Sequence, residues 1–484
     1  MKISVTNKSV VKESFLNMDV TSIAKAIKEG QTTSEEVVHI HIKHIKEVNP
    51  LLNAVVEERF SAALIEAKKM DDQLHSHSDN KLLYGVPMSI KESFNVKGMR
   101  TTGGLVHRQD LICIEDADVV VKLKAAGAII LGKTNTPTLC FCQETDNKLY
   151  GRTNNALDIN RTAGGSSGGE GALLGVGGAV AGIGSDIGGS IRFPSHFNGV
   201  VGFKAGKFQV SSTGHFPADT IPIQKRMSGM GPMGKSVRDI ELLYKAISDK
   251  TPTPKSLENN QIEILSDTTY PISDKTTSIL DHIETFLSDF YATNRSIPPL
   301  FNESAGLWQE IMSVDGGKSI EKLAFTTDRS NVFTTYLNEM LTKQTDIHPY
   351  LSWALIGSNI FKPSKVRIKE IETILEQGDK KLSHYLNNKL LIFPVYHTAA
   401  PKHGKVYKEI FSIRKTFLKY MPYTAYANVW GLPALVIPIA ADENNMPVGI
   451  QIMGSNGNED AIFQLGKLLE EKFRGYIRST IYDS

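Results

Sequence analysis

The chain has 484 residues, 41% of them hydrophobic and 22% charged, with a formal net charge of +2 at pH 7. This balance fits a globular protein with a sizeable core, and it excludes the broad basic surface that binds nucleic acid or anionic membrane. Three cysteines (Cys113, Cys140 and Cys142) are too few and too unevenly spaced for a disulfide framework or a structural zinc site, so they read as reduced thiols of a cytoplasmic protein.

The first fifteen residues lack the apolar core of a signal peptide, and no apolar run approaches the roughly 18 residues of a membrane span. Between residues 19 and 49, apolar side chains recur at helical spacing (Ile23, Ala26, Ile27, then Val37, Val38, Ile42, Ile45). Two helices are expected, the second capped by Thr33 or Ser34. That helix carries His39, His41 and His44, of which only His41 and His44 share a face. A partly exposed histidine-rich helix is the simpler expectation than a metal site. Residues 53–58 read as a strand and 61–74 as a helix, with a polar loop over 75–81.

Residues 85–93 change character: a short apolar strand runs through Pro87-Met88-Ser89-Ile90 and ends in Lys91. Taken alone, a lysine at a strand end is most simply a solvated charge. A helix over 119–126 and a buried strand over 128–131 follow. Gly127 to Thr134 matches the phosphate-loop pattern G-x-x-x-x-G-K-[ST], but its middle residues Ala128-Ile129-Ile130-Leu131 read as strand. Asn135 and Pro137 also oppose the helix such a loop requires.

Fifteen of the 39 glycines lie between Gly164 and Gly206, interleaved with Ile, Val, Leu and Phe. Such a stretch is expected to be buried, its glycines serving close backbone approach. It holds Gly164-Gly165-Ser166-Ser167-Gly168-Gly169-Glu170 and Ser185-Asp186-Ile187-Gly188-Gly189-Ser190-Ile191-Arg192. Further on, Gly231-Pro232-Met233 reads as a turn, 237–247 as a helix and 249–260 as a surface linker. Residues 262–390 alternate weak strand and helix signals. Within that region, 350–361 is apolar and bounded by Pro349 and Pro363; a core helix, a substrate lid and a membrane-surface contact all fit it. Strands are expected over 390–394 and 433–439, a pairing partner for the latter over 449–453, and a closing helix over 459–473.

Several catalytic templates compete for the serines. Gly164-Gly165-Ser166-Ser167-Gly168 satisfies the nucleophile elbow G-x-S-x-G, yet polar, turn-like residues 158–163 precede it where a hydrophobic strand is needed. Ser412-Ile413-Arg414-Lys415 matches S-x-x-K without its companion motifs. A dinucleotide fingerprint does not fit the register of 175–184. Ser190 follows Gly188-Gly189, where successive N–H groups can converge on the oxyanion of a tetrahedral intermediate. A buried, neutral lysine could then serve as base.

Lys91 after an apolar strand, the Ser166 motif and the segment Asp186-Ile187-Gly188-Gly189-Ser190-Ile191-Arg192-Phe193-Pro194 together resemble the amidase signature family, over about residues 20–476. The resemblance implies an α/β fold, a central mixed, twisted sheet flanked by helices. It divides the chain into an N-terminal helical segment (1–75) packed on the core and an amidase signature domain (76–478) whose variable region, about 262–400, walls the substrate pocket. It also implies a triad of Ser190 as nucleophile, Ser166 after a cis peptide as proton relay, and Lys91 as neutral base. Ile187, Gly188, Gly189 and Ser190 would form the oxyanion hole, with Ser167, Ser185, Asp186 and Arg192 in support. Lys91-Glu92 and Gly168-Gly169-Glu170-Gly171 are similar to fatty-acid amide hydrolases, with Ala400-Pro401-Lys402-His403 similar to the second vertebrate type, although no N-terminal membrane anchor is seen. Lys204-Ala205-Gly206 departs from the family's Lys-Pro-Thr.

The expectation is an amidase that cleaves fatty-acid or aryl amides, and also esters or carbamates, through an acyl-enzyme. It needs no metal or organic cofactor and no nucleic acid, and a homodimer is compatible with the sequence. The alternative is an A-type subunit of a glutamyl-tRNA amidotransferase, which works with a partner.

Overall fold

The computed structural model describes residues 14–74, 81–250, 254–326, 331–410 and 417–483. The polar loop at 75–80, part of the 249–260 linker and the Ser412–Lys415 motif lie outside these residues. Eleven strands form one sheet. In chain order they are β1 (Val55–Glu58), β2 (Pro87–Lys91), β3 (Ile129–Thr134), β4 (Ala181–Asp186), β5 (Val201–Lys204) and β6 (Gly229–Gly234), followed by β7 (Gln261–Leu265), β8 (Thr293–Ser296), β9 (Lys389–Pro394), β10 (Ala434–Ala441) and β11 (Pro447–Met453). Their order across the sheet is β1-β3-β2-β4-β6-β5-β10-β11-β9-β7-β8.

The sheet is mixed, as expected. β2 is parallel to both β3 and β4, β4 meets β6 antiparallel, and β7 is parallel to β8 and β9. Strands β2, β3, β4 and β6 are buried along their whole length, because helices cover both faces of the sheet and leave no solvated side for polar alternation. The register Ile90↔Ile183 between β2 and β4 sets Lys91 and Ser185 at the same, C-terminal edge of two neighbouring parallel strands, where α/β sheets place their ligands.

Two readings change, and the rejection of a phosphate loop holds. Gly231-Pro232-Met233 is the middle of strand β6 and not a turn. β5 pairs with β6 only at Val201↔Gly234 and Gly202↔Met233, so Pro232, with no N–H to give, lies past the end of that ladder. Gly132-Lys133-Thr134 belongs to β3, and the buried Lys133 ammonium bonds the Arg100 carbonyl and Thr101 Oγ1, so no phosphate cradle exists there. The histidine helix (Ser34–Leu52) is capped by Thr33. His41 and His44 are fully buried, with ring nitrogens 3.2 Å from the Gly178 carbonyl and 2.9 Å from the Val176 carbonyl; only His39 is exposed.

The apolar 350–361 stretch is helix Pro349–Ile360, part of it packed as the expected core helix. Leu351 and Leu355 pack with Leu105 and Leu139 in a core cluster, while Trp353, Ile356 and Ile360 face a cavity. No described helix is long and apolar enough to cross a membrane.

Candidate active site

Lys91 ends β2 with its side chain fully buried. Its Nζ lies 2.7 Å from Ser166 Oγ and 2.9 Å from Ser185 Oγ. Burial lowers its pKa, opposed by Cys140, Asp186 and Glu170. Desolvation thus favours the amine, which is the form that can take a proton. Glu170 sits beneath, accepting from Ser89 Oγ at 2.6 Å and Thr134 Oγ1 at 2.8 Å. Burial pushes its carboxyl up to about 7, so near neutral pH it gives the Lys91 ammonium only part of a carboxylate's support.

Ser166 follows a cis Gly165–Ser166 peptide. A side chain at Gly165 would meet the Cys142 carbonyl and the Glu144 N–H at 2.7 Å, so the backbone can approach only because this residue is glycine. The next residue, Ser167, donates its N–H to the Ser190 carbonyl at 3.1 Å and its hydroxyl to the Ser185 carbonyl at 3.4 Å. These bonds latch the Ser166 turn onto the Ser190 turn. Ser166, Ser185 and Ser190 all line one cavity of about 220 Å³.

The turn after β4 is braced from within. Asp186 accepts from the N–H groups of Gly189 (2.8 Å) and Ile191 (3.2 Å) and from Arg192 Nε (2.9 Å) and Nη2 (3.0 Å). Arg192 in turn donates to the Thr424 carbonyl, Gln451 Oε1 and Asn428 Oδ1. Both partners of this pair are buried. Burial alone would raise the Asp186 pKa, but the Arg192 charge and its hydrogen bonds outweigh it and hold the carboxyl well below the ordinary carboxylate range. Gly189 adopts φ +96°, and a Cβ there would strike the Phe193 ring.

Since the Gly189 N–H is committed to Asp186, the expected oxyanion set loses one donor. The N–H groups of Ile187, Gly188 and Ser190, three residues on the cavity wall, have no hydrogen bond to another described group. Trp308 Nε1 donates to the Ile187 carbonyl at 2.7 Å and Gln143 Nε2 to the Gly188 carbonyl at 3.3 Å. Because carbonyl and following N–H oppose each other across a trans peptide, these two side chains fix which way the Gly188 and Gly189 N–H groups point.

Four cavity residues carry no signal in the sequence that would mark them as part of the site: Cys140, Gln143, His215 and Trp308. Burial raises the Cys140 pKa, yet Lys91 and His215 pull it down to about 6. Lys91 and Cys140 are therefore a coupled pair, amine with thiol or ammonium with thiolate. Trp308 lies on helix Phe301–Met312, far from any motif, and His215 in the loop between β5 and β6. Among the described residues, no group of three His, Cys, Asp or Glu is arranged to hold a metal.

Comparison with known proteins shows the family. The amidase family pattern matches residues 36–275 and 298–463. The chain is 31% identical to fatty-acid amide hydrolase 2-B of Danio rerio, an alignment covering 96% of this chain and 91% of that protein. It is 30% identical to the A-type subunit of glutamyl-tRNA(Gln) amidotransferase from Sulfolobus acidocaldarius, covering 94% and 98%. The solved structure of 6-aminohexanoate cyclic dimer hydrolase superposes with a TM-score of 0.80 at 22% identity, covering 97% of this chain and 99% of that one, and so shares the fold. A mixed sheet flanked by helices, the paired serine turns and these alignments lead to one conclusion: the chain belongs to the amidase family, related to fatty-acid amide hydrolases, and is an amide hydrolase.

Proposed function

We propose that the enzyme cleaves carboxylic amides through an acyl-enzyme on Ser190, with Ser166 as proton relay and Lys91 as base. The observation that carries this is the 2.7 Å approach of the buried Lys91 Nζ to Ser166 Oγ, in the cavity that also holds Ser190. The Ser190 hydroxyl passes its proton through the Ser166 hydroxyl to the Lys91 amine as Oγ bonds the acyl carbon. The carbonyl π pair moves to oxygen, where the N–H groups of Ile187, Gly188 and Ser190 stabilise it; such donors are worth several kcal/mol in a site that excludes water. The C–N bond then breaks, and the amine leaves with the proton that Lys91 returns through Ser166. Water repeats the sequence on the ester. Asp186, Arg192, Ser167 and Ser185 hold the parts in register, and Gly189 joins them through its bond to Asp186.

The apolar walls Leu139, Phe141, Trp308, Met312, Trp353 and Ile356 favour a fatty-acyl or aryl-acyl group; esters and carbamates, which share the tetrahedral state, would also react. We assign catalysis to residues 76–478, with the pocket region at 262–400 and the segment 1–75 packed on the core, and we place the protein in the cytoplasm as a monomer or homodimer acting on small molecules. Labelling with a fluorophosphonate followed by peptide mapping tests the assignment: the label is expected on Ser190 and absent from Ser190→Ala, and a label on Ser166 would overturn it. The 30% identity to the A-type amidotransferase chain supports a second reading, in which a partner protein is required. Turnover of a p-nitroanilide by the purified chain, without partner or ATP, favours the hydrolase; inertness until a partner is added favours the amidotransferase reading.

A further inference from the structure

Beyond the proposed triad, the hydrogen-bond chain continues past Lys91. Ser185 Oγ lies 2.9 Å from Lys91 Nζ and 2.9 Å from His215 Nε2, and His215 Nδ1 lies 3.0 Å from the Pro217 carbonyl. The last contact decides the direction of all the others. A carbonyl oxygen can only accept, so Nδ1 carries the proton, and in the neutral imidazole Nε2 is then an acceptor. The Ser185 hydroxyl therefore donates to Nε2, and its lone pair accepts from a Lys91 N–H. A neutral amine has one lone pair, and with an N–H committed to Ser185 that pair is left for the Ser166 hydroxyl.

Imidazolium reverses the chain. Nε2–H would donate to Ser185, whose own proton must turn away, and the nearest acceptor is the Lys91 lone pair. The amine is then occupied by Ser185 at the moment Ser166 needs it. We propose that His215 is a positioning residue that sets the hydrogen-bond direction through Ser185, so that the neutral ring presents the Lys91 lone pair to Ser166 and the protonated ring withdraws it. The proposal rests on the Ser190–Ser166–Lys91 reading. The ring is well placed for it. It stands edge-on to Phe94 with centroids 4.9 Å apart, its backbone bridges that of Phe94, and it lines the cavity. Of the ionisable groups near it, Cys140 in the turn after β3 hydrogen-bonds the ring, Lys91 on β2 lies on the far side of Ser185, and Asp186 on β4 and Asp219 in its own loop line the same cavity.

The test combines the pH dependence of fluorophosphonate labelling at Ser190 with anilide turnover in wild type, His215→Gln, His215→Ala and Cys140→Ala. A glutamine offers a carbonyl oxygen that accepts from Ser185 but does not titrate. Wild type and Cys140→Ala are expected to lose activity on the acid side in two protonation steps, and His215→Gln in one. His215→Gln should keep a reduced alkaline plateau, whereas His215→Ala should fall at least about tenfold below wild type with KM little changed. Nitrogen-15 spectra of histidine-labelled wild type should show the Nδ1–H tautomer for this ring above pH 8, assigned by its loss in His215→Gln. Should that variant fail to fold, the shift of the resonance in Ser185→Ala assigns it instead. An Nε2–H tautomer, or an acid limb identical in wild type and His215→Gln, overturns the proposal. A label on another serine, or full activity in Lys91→Ala, would sink the triad reading beneath it; normal Ser190 labelling with a limb independent of His215 sinks this proposal alone.

Discussion

The two sides of the cavity are held by different forces. From Ser185 to Arg192, carboxylate, guanidinium, backbone N–H and carbonyl groups are bound to one another, and Gly165 and Gly189 stand where any side chain would collide. Opposite, helices Phe301–Met312 and Pro349–Ile360 contribute Trp308, Met312, Trp353 and Ile356, which make the wall by apolar packing. A hydrogen-bonded turn accepts almost no substitution, because each change leaves a buried polar group unpaired. An apolar wall tolerates exchange of one hydrocarbon shape for another. Under the proposed mechanism, the first side holds the chemistry constant and the second is where acyl groups are distinguished.

Cutting into the bonded side should have the largest effect. Asp186→Asn removes the charge that neutralises buried Arg192, and an uncompensated buried guanidinium costs about 3–5 kcal/mol of stability; urea denaturation should show it, together with loss of turnover. An unchanged midpoint would mean the bracing is dispensable. Trp308 touches both sides, since its ring lines the cavity and its Nε1 holds the Ile187 carbonyl. Trp308→Phe keeps most of the ring and loses the donor, so kcat should drop roughly tenfold with KM little affected. A rise in KM with kcat intact would assign Trp308 to the substrate wall alone.

Cys140→Ala probes the coupled pair. The thiolate favours the Lys91 ammonium, so its removal lowers the Lys91 pKa further, and the amine survives to lower pH. The acid limb of kcat/KM should move toward lower pH; movement the other way would show that the thiol, not the thiolate, is what Lys91 senses. The smallest effect belongs to the packed side. Ile356→Trp should raise KM for long-chain anilides several-fold while leaving p-nitroacetanilide almost untouched, and equal effects on both would place Ile356 near the reacting carbon.

Much of the bonded side was legible from the chain because its residues are local in sequence: glycines at fixed spacings around Ser166 and Ser190, with Lys91 at the end of a short apolar strand. What was missed depends on tertiary placement. His215 sits in an irregular loop without periodicity, and its meaning comes from the 2.9 Å contact with Ser185 across 30 residues. Trp308 reaches Ile187 from 121 residues away, out of a helix that by itself reads as ordinary core. Gly231-Pro232-Met233 looked like a turn because proline and glycine punctuate turns; only the register with β5 shows why a strand accepts them. His41 and His44 proved buried because carbonyls of residues 176 and 178 receive their rings, a pairing no helical spacing reveals.

The placement of Lys91 and Ser185 on adjoining parallel strands carries one more consequence. Their separation is measured out by the ladder between β2 and β4, with neighbouring strands about 4.8 Å apart, and not by the lengths of the segments that connect them. Such a sheet works as a ruler: chain can be inserted or removed in the mostly exposed stretch at 107–116, between β2 and β3, while the gap between amine and hydroxyl stays the same. Diversity in the connections and constancy in the distance between amine and hydroxyl are thus compatible in one architecture, and a graft of new loops onto this sheet should inherit the proposed base already in place.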